Sequence, residues 1–385
     1  MDQSTIMQEF GFETPDLSGA ETISELSPLE FDTDGYADYG AVAAALANLP
    51  RKPGKKPSTK SLSVNGTVVQ DRMEKYLAAK GESSSALKEA LKSPRHYLIY
   101  TNGDGDLKPA DESHFTLGTF IHSAFLEPSK FNKVKVLPEG CNRASKSGIT
   151  ALIQYYWELL HIAPDVLVSE MKMDDLKEVL FDLETEAKNA GYTFIDPTME
   201  KVVNVVRFSY MTYAGGILPR LVANGRTETS FYGRDEATGL KVKIRPDCLL
   251  LEENVGFNMV LSVKTTSATS LEGFMRDAAK YRYELAEGMY LQVASEITGR
   301  EFTGTLMLIA QTVIPYQCAL LWLDAEDLEI GRYKYRQALD VVKHAKETNS
   351  WPGFEAFAED KATGMIHVRF PEWIKGELKP QNINQ

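Results

Sequence analysis

From about residue 148 the apolar positions repeat with helical spacing, and from about residue 227 they fall into short β-branched blocks separated by turns. Helical patterns cover about 148–162, 172–190 and 197–213, the last opened by Asp196-Pro197, a capping residue followed by proline at the first helical position. Strand-like runs follow at 227–232, 240–251 and 259–265, with Arg234-Asp-Glu-Ala-Thr-Gly239 as the hairpin turn between the first two. A helix is expected over about 271–297, then strands at 304–312 and 316–323, then a long helix capped by Asp324 and running to about residue 346. Nearer the N-terminus, Ser83 to Ser85 cap a helix closed by Ser93-Pro94. Phe120, Ile121, Phe125 and Leu126 put His122 in an amphipathic helix. Three strands, a helix and further strands make an α/β core, and no internal repeat is visible.

The first 50 residues break the pattern. They hold ten acids and no Lys or Arg, with scattered apolar residues such as Phe10, Phe12, Leu29 and Phe31, and read as a disordered acidic arm. Arg51-Lys-Pro-Gly-Lys-Lys-Pro-Ser-Thr-Lys60 then reads as a basic linker, either a solvated hinge or a contact to a phosphate backbone through counterion release. The expected division is an arm and linker over 1–65 and one folded domain over 66–385. The arm also relocates the charge. Of 54 acids and 42 bases, net −12, removing the ten leaves 44 against 42, a net of −2 over residues 51–385. A nearly neutral body can gather basic groups into a groove, so overall acidity does not exclude a nucleic-acid substrate.

With 43% hydrophobic residues in 385 the chain can bury a substantial core. No run reaches the roughly 18–20 apolar residues of a membrane span, and Met1-Asp-Gln-Ser-Thr resembles no secretory leader. Cys141, Cys248 and Cys318 are too scattered for a disulfide framework or a zinc site, so a reducing, cytoplasmic setting is expected.

The candidate chemistry lies on two of the strand runs. Lys241-Val-Lys-Ile-Arg-Pro-Asp247 is followed fifteen residues after Asp247 by Ser262-Val-Lys264-Thr-Thr266. Side chains alternate along a strand, so residues 262 and 264 share a face. An Asp on one strand, with an acid and a Lys at this spacing on the next, is the PD-(D/E)XK layout. The carboxylates hold a divalent cation, and the lysine orients or activates water. Here Ser262 stands in the acid's place and offers only a neutral oxygen to a metal. A carboxylate could instead come from the following helix, where Asp277, Glu284 and Glu287 are available. The other reading is a degenerate fold that binds DNA ends or a recombination partner without cutting.

Several further segments, in order, resemble the C-terminal nuclease domain of RecE-type exodeoxyribonucleases (exonuclease VIII). They are Ser83-Ser-Ser-Ala-Leu-Lys-Glu-Ala-Leu-Lys-Ser-Pro94, Leu117-Gly-Thr-Phe-Ile-His122, Ile244-Arg-Pro-Asp247, Val263-Lys-Thr-Thr266, Tyr281-Arg-Tyr283 through Tyr290, and Trp351-Pro352 with Pro371-Glu-Trp373. The resemblance implies a restriction-endonuclease-like core, a central mixed sheet flanked by helices with a helical N-terminal elaboration. It implies His122 and Asp247 as metal ligands, with Ser262 where their companion acid belongs, and Lys264 as the catalytic lysine. In the family's Gln-x-x-x-Tyr pattern Tyr290 matches, whereas Ala286 replaces the Gln. The implied activity is exonucleolysis of linear double-stranded DNA from its ends with Mg²⁺, or Mn²⁺, in phage-type recombination. A homo-oligomeric ring and a single-strand-annealing partner protein come with it.

Read without the resemblance, His122 is an ordinary core histidine on an apolar helix face, Asp247 a strand-end residue and Lys264 an edge-strand lysine. Glu228, on the strand before the hairpin, either adds a carboxylate to the site or lies on the surface. Tyr281, Arg282 and Tyr283 are either core aromatics at helical spacing or contacts to DNA by stacking and phosphate pairing. Gly103-Asp-Gly-Asp106 lacks calcium-loop spacing and reads as a turn.

Overall fold

The computed structural model describes residues 33–102, 113–163, 167–360 and 362–369. Most of the acidic arm, Gly103-Asp-Gly-Asp106 and Pro371-Glu-Trp373 lie outside the described residues. Ten strands are described: β1 (Thr67–Val69), β2 (Val134–Val136), β3 (Thr193–Ile195), β4 (Arg226–Thr227), β5 (Ser230–Arg234), β6 (Lys241–Ile244), β7 (Cys248–Leu250), β8 (Met259–Thr266), β9 (Thr305–Gln311) and β10 (Cys318–Trp322). The central sheet has the order β10-β9-β8-β7-β4. It is mixed, with β8 and β9 parallel and the remaining pairs antiparallel. A second sheet, β1-β5-β6, is antiparallel. The β2-β3 pair stands apart.

Both faces of the central sheet are covered, which explains why its strands read as continuous apolar runs rather than alternating ones. On one face Leu249, Val260, Met307 and Ile309 pack with Leu285, Met289 and Leu339 of the helices Tyr283–Thr298 and Ala325–Thr348. On the other, Leu250, Met259, Leu261, Val263 and Leu308 pack with Phe120, Ile121, Val206 and Tyr210 of the helices Ser113–Leu126 and Pro197–Thr212. The parity of β8 therefore turns Val260 toward the Tyr283–Thr298 helix, and Ser262 and Lys264 follow on that side. The helices Lys146–Leu160 and Met173–Asn189 form a smaller core of their own around Ile153, Tyr156 and Leu180.

Two glycine contacts set the spacing of the layers. A Cβ on Gly331 would lie 2.0 Å from the Glu284 carbonyl oxygen, and one on Gly288 would lie 2.4 Å from the Arg332 nitrogen. The helices carrying them can touch backbone to backbone only without side chains there. A Cβ on Gly118, one turn before His122, would meet Thr265 Oγ1 at 2.9 Å, so that helix too lies tight on β8.

Four expectations need correction. The run at 240–251 is two strands broken at Arg245-Pro246-Asp247, and the run at 227–232 belongs to two strands broken at Glu228-Thr229. The helix at 271–297 is also two, Leu271–Lys280 and Tyr283–Thr298, parted where Arg282 takes a left-handed conformation (φ 52°). Finally, ordered packing begins well before residue 66. A helix at Tyr39–Ala47, capped by Asp38, buries Val42 and Leu46, and Leu49 follows them into the core. The i, i+4, i+7 spacing of these residues is a helical stripe with low contrast against its alanine-rich surroundings.

Candidate active site

The strand breaks coincide in space. Both chain segments cross there from the central sheet to the β1-β5-β6 sheet, and the Glu228 N–H donates to the Asp247 carbonyl at 3.1 Å. Pro246 cannot donate to a ladder, which favours ending one strand and starting another at that point. Where β7 parts from β8, the Asp247 carboxylate accepts the Val263 N–H at 2.6 Å and so takes the place of a strand. Glu228 is itself held at φ 52°, a costly conformation for a residue with a Cβ.

Around this break, acidic and basic groups converge. His122 Nε2 lies 3.0 Å from Asp247 Oδ1 and its Nδ1 lies 3.5 Å from Glu228 Oε1. The ligand atoms of His122, Glu228 and Asp247 all lie within 4.8 Å of one another. The second oxygen of Glu228 accepts from Arg245 Nε at 2.8 Å, and the same guanidinium holds Asp71 at 3.0 Å and Ser230 Oγ at 2.6 Å. On the other side, Lys264 Nζ stands 3.9 Å from Asp247 and 3.6 Å from Glu287. Glu287 is fully buried, and its two oxygens lie 2.8 and 2.7 Å from the hydroxyl of Ser262, which donates to it.

Electrostatics follow from this packing. Burial pushes the Asp247 carboxyl up, but the charges of His122 and Lys264 outweigh it and bring it down to about 2. Burial opposes protonation of His122, yet Asp247 beside it holds the imidazole above its ordinary value. Lys264 is likewise opposed by burial and held up by Glu287 and Asp247, so its ammonium stays charged. Glu228 and Glu287 are pushed up by burial in spite of their cationic neighbours. A bound cation would remove that penalty by favouring the ionised carboxylates. Two carboxylate oxygens and one imidazole nitrogen suit a hard divalent ion, and the imidazole extends the range from Mg²⁺ to Mn²⁺.

Of the residues singled out in the sequence, His122, Glu228, Asp247 and Lys264 are brought together. Ser262, expected as a metal ligand, instead turns its hydroxyl onto Glu287. Of the three helix acids only Glu287 enters this cluster. Glu284 pairs with Lys334 at 2.8 Å, and Asp277 lies half-buried in the last turn of the preceding helix. Tyr290, one turn after Glu287, has its hydroxyl raised by burial and by the nearby Asp247 and Glu287 carboxylates, and pairs with Ser84. Tyr283 covers the Lys264 ammonium, 5.3 Å from the ring centre, and so walls the site. Tyr281 is exposed and stacks on Tyr283 at 6.0 Å, while Arg282 is the kink between helices. Ala286 is buried in the helix core.

Two contributors were missed in the sequence. Lys88 also lies over the Tyr283 ring, 5.3 Å from its centre, and burial with repulsion from Lys264 lowers it to about 8. Its segment was noted for capping and for the resemblance, without a role for this lysine. Arg245 and its partner Asp71 form the support of Glu228. A charged residue in the apolar run before Pro246 was the available signal.

Comparison with known proteins comes to the same region. A family profile described as a PDDEXK-like domain of unknown function (DUF3799) matches residues 83–358. Among solved structures the chain is similar to a candidate exonuclease from Eubacterium rectale, with 12% identity, covering 81% of this chain and 99% of that one at a TM-score of 0.41. It is also similar to SSO0001, with 11% identity, covering 57% of this chain and 84% of that one at a TM-score of 0.21. No curated protein matches the chain.

Proposed function

Because the chain belongs to the DUF3799 family of PDDEXK-like domains, we propose that it is a divalent-cation-dependent nuclease that hydrolyses DNA phosphodiester bonds. The finer reading is a RecE-like exodeoxyribonuclease that digests linear double-stranded DNA from its ends with Mg²⁺ or Mn²⁺. Oligomerisation and work beside a single-strand-annealing protein belong to that reading. The observation that carries the proposal is Glu287. A carboxylate wholly removed from water, bonded by the serine that stands in the acid's position and 3.6 Å from Lys264 Nζ, supplies from a helix the charge that the strand lacks.

In this reading Asp247, His122 and Glu228 hold the cation. When bound, it neutralises charge on the phosphate and makes a nucleophile available near neutral pH. Lys264, kept charged by its two carboxylate neighbours, orients water and offsets the negative charge that develops on the phosphoryl oxygens. Glu287 holds Lys264 in that position, and Ser262 holds Glu287. Arg245 leaves Glu228 one free oxygen and points it at the cluster. Tyr283 shields the ammonium from water on one side, and Tyr281 offers an exposed ring to an unpaired base.

The test is digestion of linear duplex by the full chain with Mg²⁺ or Mn²⁺. Asp247→Asn and Lys264→Ala should each lower cleavage by about 10²-fold or more. Undiminished cleavage by both variants would place the chemistry elsewhere. A wild type that binds duplex ends but never cuts, even as Ser262→Asp, would favour the degenerate reading suggested by Ser262 and Ala286.

A further inference from the structure

We propose that the basic segment from Arg51 to Lys60 is a fixed strap that grips the phosphate backbone of duplex DNA beside the active site; this rests on the nuclease reading above. The segment is tied down at both ends and in the middle. Leu49 before it and Leu62 after it are buried. Between them the buried side chain of Asn224 donates to the Pro50 carbonyl and accepts from the Gly54 N–H, both at 3.3 Å. Arg226 donates to the Pro57 carbonyl at 2.6 Å, and Arg220 to the Leu49 carbonyl at 3.4 Å. The backbone faces the body, while Arg51, Lys52, Lys55, Lys56 and Lys60 are exposed. Among the described residues none of these five forms an ion pair.

Its place in the fold gives the strap its use. At Pro57 it is bound to Arg226 of β4, the edge strand, two residues before Glu228. Arg226, which holds the strap at Pro57, pairs in the sheet with Leu249, two residues beyond Asp247. Covering a sheet edge would account for the anchored backbone. It would not account for five exposed cations in ten positions of a chain whose net charge is −12. Duplex DNA presents a phosphate about every 1.7 Å of axis, and a held row of cations binds it without first paying to order a loop. A substrate end lying on the His122–Asp247 cluster would extend its backbone along such a row.

The experiment compares the full chain with a variant in which R51Q, K52Q, K55Q, K56Q and K60Q are combined. Binding of a labelled linear duplex is measured in EDTA over a salt series, and cleavage is measured with Mg²⁺ or Mn²⁺. A second variant neutralises five exposed lysines elsewhere, Lys130, Lys172, Lys177, Lys188 and Lys201. The strap variant should bind about tenfold or more weakly, with a salt dependence shallower by up to about 0.9 per lost contact, while the second variant tracks the wild type. Its thermal transition should not move, because the anchoring groups remain. Equal affinity and salt slope for strap variant and wild type would overturn the strap, as would equal losses in both variants or a wild type that binds no duplex. A strap effect on binding with no cleavage by the wild type would uphold the strap and overturn the nuclease reading instead.

Discussion

Glu287 is a residue whose chemistry and stability pull in opposite directions. Its carboxyl is raised above the usual 4.5 by burial, so between that value and its folded pKa the native state binds more protons than the unfolded one. Stability therefore falls as pH rises through that window, and above it the ionised group is a fixed cost to folding. Glu287→Gln keeps the shape and removes the cost. At pH 8 its thermal midpoint should equal or exceed that of the wild type, while cleavage drops by about 10²-fold or more because Lys264 loses its partner. A lower midpoint with cleavage intact would show that Glu287 is structural. His122 is also held above its ordinary value, by the Asp247 carboxylate against the effect of burial, so it keeps its proton more firmly and must give it up to bind a metal. Stabilisation by Mn²⁺ should therefore weaken as pH is lowered from about 8.5 to 6, read as the change in thermal midpoint on adding metal. A constant shift across that range would remove His122 from the ligand set.

Among the elements, the crossing of the helices Tyr283–Thr298 and Ala325–Thr348 decides where Glu287 sits. Gly331→Ala places a methyl group against the Glu284 carbonyl at 2.0 Å, where only backbone can yield. The helices must separate, and a cost of about 1–3 kcal/mol or more is expected from such overpacking. Activity should fall further than stability does, because Lys264 and Glu287 face each other across the layer that shifts. Thermal melts and cleavage rates on one preparation would separate the two losses. A variant as stable and as active as wild type would mean the helices do not need to touch. The helix Tyr39–Ala47 is the other element with a clear consequence. Removing residues 33–50 uncovers the sites of Val42, Leu46 and Leu49, each worth about 1.5–3 kcal/mol as an upper estimate. Truncation to residue 33 tests the acidic arm separately from this helix, and a melt unchanged by loss of 33–50 would show that the helix contributes nothing to the core.

Across the molecule, the cluster is formed by five separate parts of the chain: a helix on one face of the sheet, a helix on the other, the two strand breaks between them, and β8 with Ser262 and Lys264. Such a site gathers three carboxylates in a mostly buried cluster, Glu228, Asp247 and Glu287 lying among His122, Lys264, Arg245 and Lys88. Divalent cation should stabilise the native state by mass action, raising the midpoint with each increase in concentration above its dissociation constant. Asp247→Asn should abolish most of that rise. If it survives in this variant, the metal is bound elsewhere. Among the described residues no helix is long and apolar enough to cross a membrane.

The order of helices and strands was legible because it depends on local spacing of apolar groups, and β8 and β9 kept nearly their expected bounds. Asp247 and Lys264 were legible for the same reason, since alternation along a strand and a fixed separation in chain are local facts. The breaks at Glu228-Thr229 and Arg245-Pro246-Asp247 were not, because strand-forming residues resume directly after each polar interruption, while the change of sheet depends on which strands they pair with. Nor could the chain indicate that Asn224, Arg220 and Arg226 hold down the basic segment, which reads equally well as a free linker. The choice among Asp277, Glu284 and Glu287 illustrates the division most clearly. All three lie within eleven residues on helical pattern, and sequence spacing treats them alike. Only the close crossing at Gly288 and Gly331 rotates and seats the helix so that Glu287 alone meets Ser262 and Lys264, because that contact depends on packing between segments far apart in the chain.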